Sequence, residues 1–178
     1  EPKLQFVVDE AKRRFKVKVR RISKKNFEAD VKHFLRIYNA ALPGQWGFTP
    51  MTEGAMQETA AGLKYLMVPE LTTMAEIDGE PVAAVFGLLD YNPLIKKIGG
   101  RLLPFGALRL LFGRKKIKNI RILSTNVVPQ YQRWGLGLVL LERLVPDIKE
   151  WGIQEAEFSW VLESNKLSRG TLERSGCK

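Results

Sequence analysis

The sequence predicts a mixed α/β fold, a central sheet flanked by helices, and three observations carry that expectation. Between Asn119 and Leu141 an apolar strand runs straight into a glycine-bracketed helix start, Val127-Val128-Pro129-Gln130-Tyr131-Gln132-Arg133-Trp134-Gly135-Leu136-Gly137. Upstream, Met74-Ala75-Glu76-Ile77-Asp78-Gly79-Glu80-Pro81-Val82-Ala83 reads as two strands joined by a tight Asp-Gly turn. Segments with the helical spacing of apolar residues lie before and after these strands, so both periodicities occur in one chain. At 178 residues the chain fits one domain. That length buries about 70% of the surface the unfolded form exposes, enough for a core without staples.

In chain order, Leu4, Val7, Val8, Ala11 and Phe15 share one helical face while Lys12, Arg13 and Arg14 sit off it, giving a leading helix over residues 1–15. Phe15 to Ile22 alternates with period two and reads as a strand with one wet face. Phe27, Val31, Phe34, Leu35, Tyr38 and Leu42 mark an amphipathic helix. His33, the only histidine, lies off its apolar face beside Lys32 and Arg36 and reads as a solvated residue. Pro43 to Pro50 is a rigid loop bearing Trp46 and Phe48, and a helix runs from Thr52, its N-cap, to about Leu66. After the hairpin, residues 92–118 form an insertion in which Leu102, Phe105, Leu108, Leu111 and Phe112 keep helical spacing, flanked by Arg101, Arg109 and Arg114. A short basic amphipathic helix that packs on the core is expected there; the alternatives are a membrane surface or a bulky acyl group. The helix beginning at Gly135 contains Pro146, where a kink is expected, and stops at Gly152. Glu155 to Leu162 is an extended run, and Asn165 is the natural N-cap of a short helix closing at Arg174-Ser175-Gly176.

The junction after Val127 is suited to phosphate. Glycine removes side chains where a backbone must come close to a ligand, and the first helical turn leaves N–H groups without intrahelical partners. A dinucleotide fingerprint would need glycine or alanine where Leu140 stands, and a phosphate loop of the Gly-Lys-Ser/Thr kind never occurs. What remains is Q-x-x-G-x-G, with Gln132, Gly135 and Gly137. Together with the downstream strand, Glu163-Ser164-Asn165 and short helix, and with the upstream hairpin, this resembles the GNAT superfamily of N-acetyltransferases over about Val17 to Gly176.

The resemblance implies a three-layer fold around a mixed sheet and acetyl-CoA, or another acyl-CoA, as co-substrate. It implies a pyrophosphate resting on amides from Arg133 to Gly137, with Gln132, Arg133, Trp134, Gly135, Leu136 and Gly137 forming the grip. Pantetheine would run along the strand near Val127 and Val128, whose N–H groups would face the thioester oxygen, and would meet Asn165. The acceptor implied is an amine on a small molecule or protein, with Trp46 and Phe48 either contacting it or covering the sheet edge. Many family members place an acidic base mid-strand and a tyrosine acid on the last helix; here those positions hold Ser124, Thr125, Asn126, Ser159, Trp160 and Leu172. Glu163 is the nearest carboxylate and the candidate base, acting through water; the alternative is a solvated strand-end residue. Such domains also continue for one or two more strands, so the expectation is a single acyltransferase domain over 1–178 excerpted from a longer chain, with its last strands missing.

The formal charge of +10 is unevenly placed. Lys96, Lys97, Arg101, Arg109, Arg114, Lys115, Lys116, Lys118 and Arg121 occur without one acidic residue among them, as do Lys12, Arg13, Arg14, Lys16, Lys18, Arg20, Arg21, Lys24 and Lys25. Such fields draw polyanions, whether nucleic acid, anionic headgroups or the phosphates of CoA, or simply keep a surface solvated. No zinc-ligand cluster, RNA-binding aromatic motif or recognition-helix pattern points to a specific nucleic acid. A lone cysteine, Cys177, agrees with a reducing compartment, and the longest greasy stretch, Leu102 to Phe112, is far shorter than the ~20 residues that span a bilayer. A soluble cytoplasmic protein is expected. The function expected is acyl-CoA-dependent N-acyltransfer; the alternatives are a catalytically silent acyl-CoA-binding module, or a basic membrane- or nucleic-acid-binding domain on the same scaffold.

Overall fold

The computed structural model describes residues 2–159, 161–163 and 165–174. Its elements in chain order are α1 (Pro2–Phe15), β1 (Lys18–Arg21), α2 (Phe27–Ala41), α3 (Glu53–Leu63), β2 (Thr72–Ile77), β3 (Glu80–Leu89), α4 (Asn92–Lys97), α5 (Gly106–Gly113), β4 (Asn119–Val127), α6 (Leu136–Glu150), β5 (Glu155–Phe158) and α7 (Lys166–Arg174). The five strands form one sheet in sequence order, antiparallel throughout except that β4 and β5 run parallel. The parallel pair needs a crossover, and α6 supplies it.

The β2–β3 hairpin forms at the predicted turn. Asp78 and Gly79 have φ of 52° and 83°, positive at both central positions, as the twist of a two-residue hairpin demands. Thr52 caps α3, its hydroxyl accepting from the Ala55 N–H at 3.2 Å. The helix stops at Leu63, three residues before the expected end, because the chain pairs as turns from there: both Leu66 and Met67 donate to Leu63 O.

Two helical layers cover opposite faces of the sheet. Residues 85 and 86 of β3 pair with Thr125 and Ser124 of β4, and adjacent residues point to opposite faces. On one face, a Cβ added to Gly137 of α6 would stand 3.6 Å from the Thr125 methyl group. On the other, Phe34 of α2 packs edge-on to Phe86 with ring centroids 5.9 Å apart. Helix α6 buries Leu136, Val139, Leu140 and Leu144 completely, each worth about 1.5–3 kcal/mol of apolar transfer. It continues past Pro146 to Glu150.

Buried charge ties edge to layers. Asp30 in α2 is fully buried and receives Arg20 through two nitrogens, at 2.6 and 3.1 Å, plus the Ser23 N–H at 2.9 Å. Asp147 in α6 receives Arg21 through two nitrogens and Arg143 at 3.0 Å. Consecutive arginines of β1 are thus held from opposite faces of the sheet.

Two expectations are corrected. The final strand was expected over Glu155 to Leu162, but β5 spans four residues, because β4 bends away beyond the pairing of Ile122 with Phe158. The insertion was expected to lay Leu102, Phe105, Leu108, Leu111 and Phe112 on the core. Instead the helix begins at Gly106, Leu110 and Gly106 turn inward, and those five side chains are exposed. A Cβ at Gly106 would lie 1.9 Å from Arg101 O, so the chain folds back tightly there and that contact sets the helix's rotation. The proposed helix end at Gly176, and Trp160, Ser164 and Cys177, lie outside the described residues.

Candidate functional site

The parallel strands β4 and β5 part company halfway along. Their ladder runs from Asn119 with Glu155 to Ile122 with Phe158, and the last bond is Ser159 N–H to Ile122 O at 3.1 Å. Against β3, the register slips at the same level: Phe86 faces Ser124 while Gly87 faces Ile122, so Leu123 is an extra residue. A bulge of this kind bends a strand and re-aims the residues beyond it.

Past the bulge, alternation decides which polar groups are free. The Val128 N–H donates to Val82 O at 3.0 Å, so residues 124, 126 and 128 direct their backbone groups at β3, and Thr125 and Val127 direct theirs to the open side. Val127 O confirms the direction, since it accepts from the Gln132 side-chain amide at 3.0 Å. The expectation that Val128 offers its N–H to a thioester is therefore corrected. That donor is spent on the ladder, and among the described residues the strand donors left free at the split are those of Thr125 and Val127.

The chain then makes a short turn at Pro129–Tyr131 and enters two left-handed residues, Arg133 at φ 67° and Gly135 at φ 81°, before α6 begins. No side chain caps this helix. Among the described residues, the N–H groups of Arg133, Trp134, Gly135, Leu136 and Gly137 meet no acceptor. Unpaired amides at a helix start, with the positive end of its dipole, form an anion site. Gln132 braces the turn from behind, its amide nitrogen also lying 3.4 Å from Ala41 O at the end of α2.

The two glycines do different work. A Cβ at Gly135 would lie 2.5 Å from a Val7 methyl group of α1, and its φ is one that other residues resist. Gly135 is therefore required by the packing of α1 on the turn. Gly137 meets only ordinary contact with Thr125, so nothing within the described protein demands its bareness. Helix α1 brings further groups: Arg14 lies over the Trp134 ring, 4.0 Å from its centroid, and Phe15 packs edge-on to Tyr131 and Trp134 at 5.4 and 5.6 Å. Phe6, Val7, Glu10, Ala11, Arg14, Arg133 and Trp134 line a shallow cleft between α1 and the turn. No sequence pattern signals this contact, because the partners come from opposite ends of the chain.

Across the sheet from α6, Asn126 is buried and donates to the Ser124 hydroxyl at 2.5 Å. Beside them runs an aromatic row, Phe86, Phe34, Tyr38 and Phe48, with neighbouring centroids 5.9, 6.4 and 5.8 Å apart. Phe48 thus packs within the row, whereas Trp46 is 83% exposed. Glu163 is exposed, with no hydrogen-bond or ion-pair partner among the described residues. Asn165 caps α7, its side-chain oxygen accepting from Ser168 N–H at 3.1 Å. Among the described residues no three His, Cys, Asp or Glu side chains gather as metal ligands, and the buried carboxylates Asp30 and Asp147 are both held by arginines of β1.

The family model of the acetyltransferase (GNAT) family matches residues 31–177. The chain belongs to the GNAT family. Similar solved GNAT folds include the ribosomal-protein alanine N-acetyltransferase of Escherichia coli, with a TM-score of 0.55 and 19% identity over 90% of this chain and 76% of that one. An aminoglycoside N-acetyltransferase in complex with CoA has a TM-score of 0.58 and 14% identity over 91% and 88%. Among curated proteins, Protein YghO of Escherichia coli is 32% identical over 99% of this chain and 46% of its own length. A bacterial ceramide synthase of Caulobacter vibrioides is 32% identical over 90% and 43%. The chain therefore spans somewhat under half the length of these curated relatives. In this GNAT domain the family match begins at residue 31, so α1, which packs on the Trp134 turn, lies outside the matched region. No helix among the described residues is long and apolar enough to cross a membrane.

Proposed function

We propose that this domain is an acyl-CoA-dependent N-acyltransferase. The observation that carries the proposal is the uncapped start of α6, its amides from Arg133 to Gly137 unpaired, at the mouth of the split between β4 and β5. These residues fit the carrier. The amides and the Arg133 guanidinium would hold the pyrophosphate, and the open edge at Thr125 and Val127 would pair with the amide-bearing pantetheine as an added strand. In the reaction an amine attacks the thioester carbonyl, the N–C bond forms, the C–S bond breaks, and the thiolate takes up a proton. The strand donors at the split would stabilise the oxyanion, and holding both partners in line can contribute about 7–11 kcal/mol. Glu163, exposed and without a partner among the described residues, would take the ammonium proton through water. Asn165 would approach the pantetheine with its amide nitrogen, its oxygen being engaged in the cap.

The acceptor we propose is a long-chain amine. The support is the name of the Caulobacter relative, since a ceramide is the N-acyl derivative of a long-chain amino alcohol, and the apolar, aromatic lining opposite α6.

Gly137→Glu tests the phosphate grip, because Gly137 has ordinary φ, a Cβ there meets only ordinary contact, 3.6 Å from the Thr125 methyl group, and glutamate suits a first helical turn. Calorimetric titration with acetyl-CoA and a longer acyl-CoA should show binding that Gly137→Glu abolishes at unchanged melting temperature. Thiol release with a long-chain amine should disappear with it. Retained binding in this variant sinks the assignment; binding without thiol release for any amine supports a silent acyl-CoA-binding module instead.

A further inference from the structure

The insertion between β3 and β4 gathers several exposed apolar side chains in one short segment. Leu103 and Phe112 are 83% and 79% exposed, and Leu102, Phe105 and Leu108 are exposed beside them. Solvent-facing apolar clusters of this kind mark interaction sites on folded proteins. The cluster is embedded in cations: Lys96, Lys97, Arg101, Arg109, Arg114, Lys115, Lys116 and Lys118 fall within residues 92–118, where no acidic residue occurs. None of the eight joins an ion pair among the described residues. The elements around the insertion continue the pattern. Lys24, Lys64 and the exposed Tyr65 line one groove together with Leu111 and Arg114, so segments far apart in sequence present the same chemistry to one side.

We infer that this face docks the protein on an anionic lipid bilayer, with Leu102, Leu103, Phe105, Leu108 and Phe112 entering the headgroup boundary and the surrounding lysines and arginines meeting lipid phosphates. Charge complementarity selects this occupant. A second copy of the chain would set the same unpaired cations against each other in a two-fold contact. Single-stranded nucleic acid reads stacking surfaces, whereas three of the five protruding side chains are leucines. An interfacial segment needs an apolar face ringed by basic residues, and each cation near an anionic surface adds to the attraction. Tyr65, with an apolar ring and a polar tip, suits the same depth.

The topology makes this arrangement workable. The insertion closes at Asn119, where β4 begins, and the anion-binding turn comes after Val127, where β4 ends. A strand of that length holds the two about 30 Å apart. Docking by the insertion therefore leaves the turn facing water.

The test is sedimentation of the intact protein with vesicles of pure phosphatidylcholine and of equal parts phosphatidylcholine and phosphatidylglycerol, with no acyl donor present. Binding is expected only with phosphatidylglycerol, and should fall steeply as salt is raised. The pair Leu103→Ser and Phe112→Ser, and separately the pair Lys115→Glu and Lys116→Glu, should each weaken it at least about tenfold, with melting temperature unchanged because all four side chains are exposed. Absence of phosphatidylglycerol-dependent binding at low salt overturns the inference. So does binding indifferent to the Leu103/Phe112 pair, or stronger retention by single-stranded RNA than by the vesicles, or a concentration-dependent dimer that the Leu103/Phe112 pair abolishes.

Discussion

At the scale of single residues, the core contains polar atoms of two kinds, and they predict opposite outcomes. The hydroxyls of Thr72 and Thr73 are buried in β2 with no partner among the described residues. An unsatisfied buried hydroxyl costs free energy that an isosteric methyl group does not. Thr72→Val and Thr73→Val should each leave stability unchanged or raise it by up to about 1 kcal/mol, read as a higher denaturant midpoint at constant slope. Asp147 is the reverse case. It is buried, and it answers both Arg21 and Arg143; the hydrogen-bonded carboxylate holds the Arg21 guanidinium above its already high range. Asp147→Asn should cost about 2 kcal/mol in the same measurement, less than a fully buried pair would because both arginines reach solvent. Neither feature shows in the sequence. Asp30 and Asp147 sit in runs that otherwise read as solvated helix faces, and only the arrival of β1 from elsewhere in the chain makes them interior. Gly135 and Gly137 were legible as a pair, but the difference between them was not: one answers to Val7, while the other meets no such constraint within the described protein.

At the scale of elements, the helices and the hairpin were legible because each is set by local periodicity and turn chemistry. The extent of β5 was not, because a strand lasts only as long as its neighbour, and β4 turns away at Leu123. The placement of α5 escaped for a similar reason, its rotation being fixed by the close approach of Gly106 to Arg101 rather than by its own pattern. The seating of α1 on α6 yields a pH-dependent prediction. Lys12 first, then Gln5, hydrogen-bond Glu142 and hold its carboxyl below the usual range. A depressed carboxyl stabilises the folded form above the ordinary glutamate value of about 4.3, and that contribution is lost as pH falls through the lower folded value. Amides of α1 should therefore lose protection, after correction for intrinsic exchange, over the pH interval below about 4.3, before the strands do. In Glu142→Gln the helix should be looser already at neutral pH and insensitive over that interval. Equal acid response in both proteins would count against this seat.

At the scale of the whole molecule, the family-matched region begins at residue 31, yet the sheet and the turn before α6 both depend on the residues before it. Strand β1 pairs with β2 over Lys18 to Arg21, and its arginines satisfy the two buried carboxylates. A fragment trimmed to residues 31–177 discards α1, β1 and Asp30 together, leaving Asp147 without Arg21 and uncovering the apolar surface around Gly135. Such a fragment should melt without a cooperative transition, whereas the chain from Pro2 should show one, by calorimetry. Its failure to bind an acyl carrier would report on the missing brace.

The divergence of β4 from β5 also bears on how the protein behaves in a tube. Backbone donors and acceptors on an unzipped strand will zip to whatever extended chain arrives first. Concentrated stocks kept without thioester are thus prone to stick to one another or to an affinity tag's tail through that seam, and adding the acyl carrier proposed to lie there is the simplest remedy.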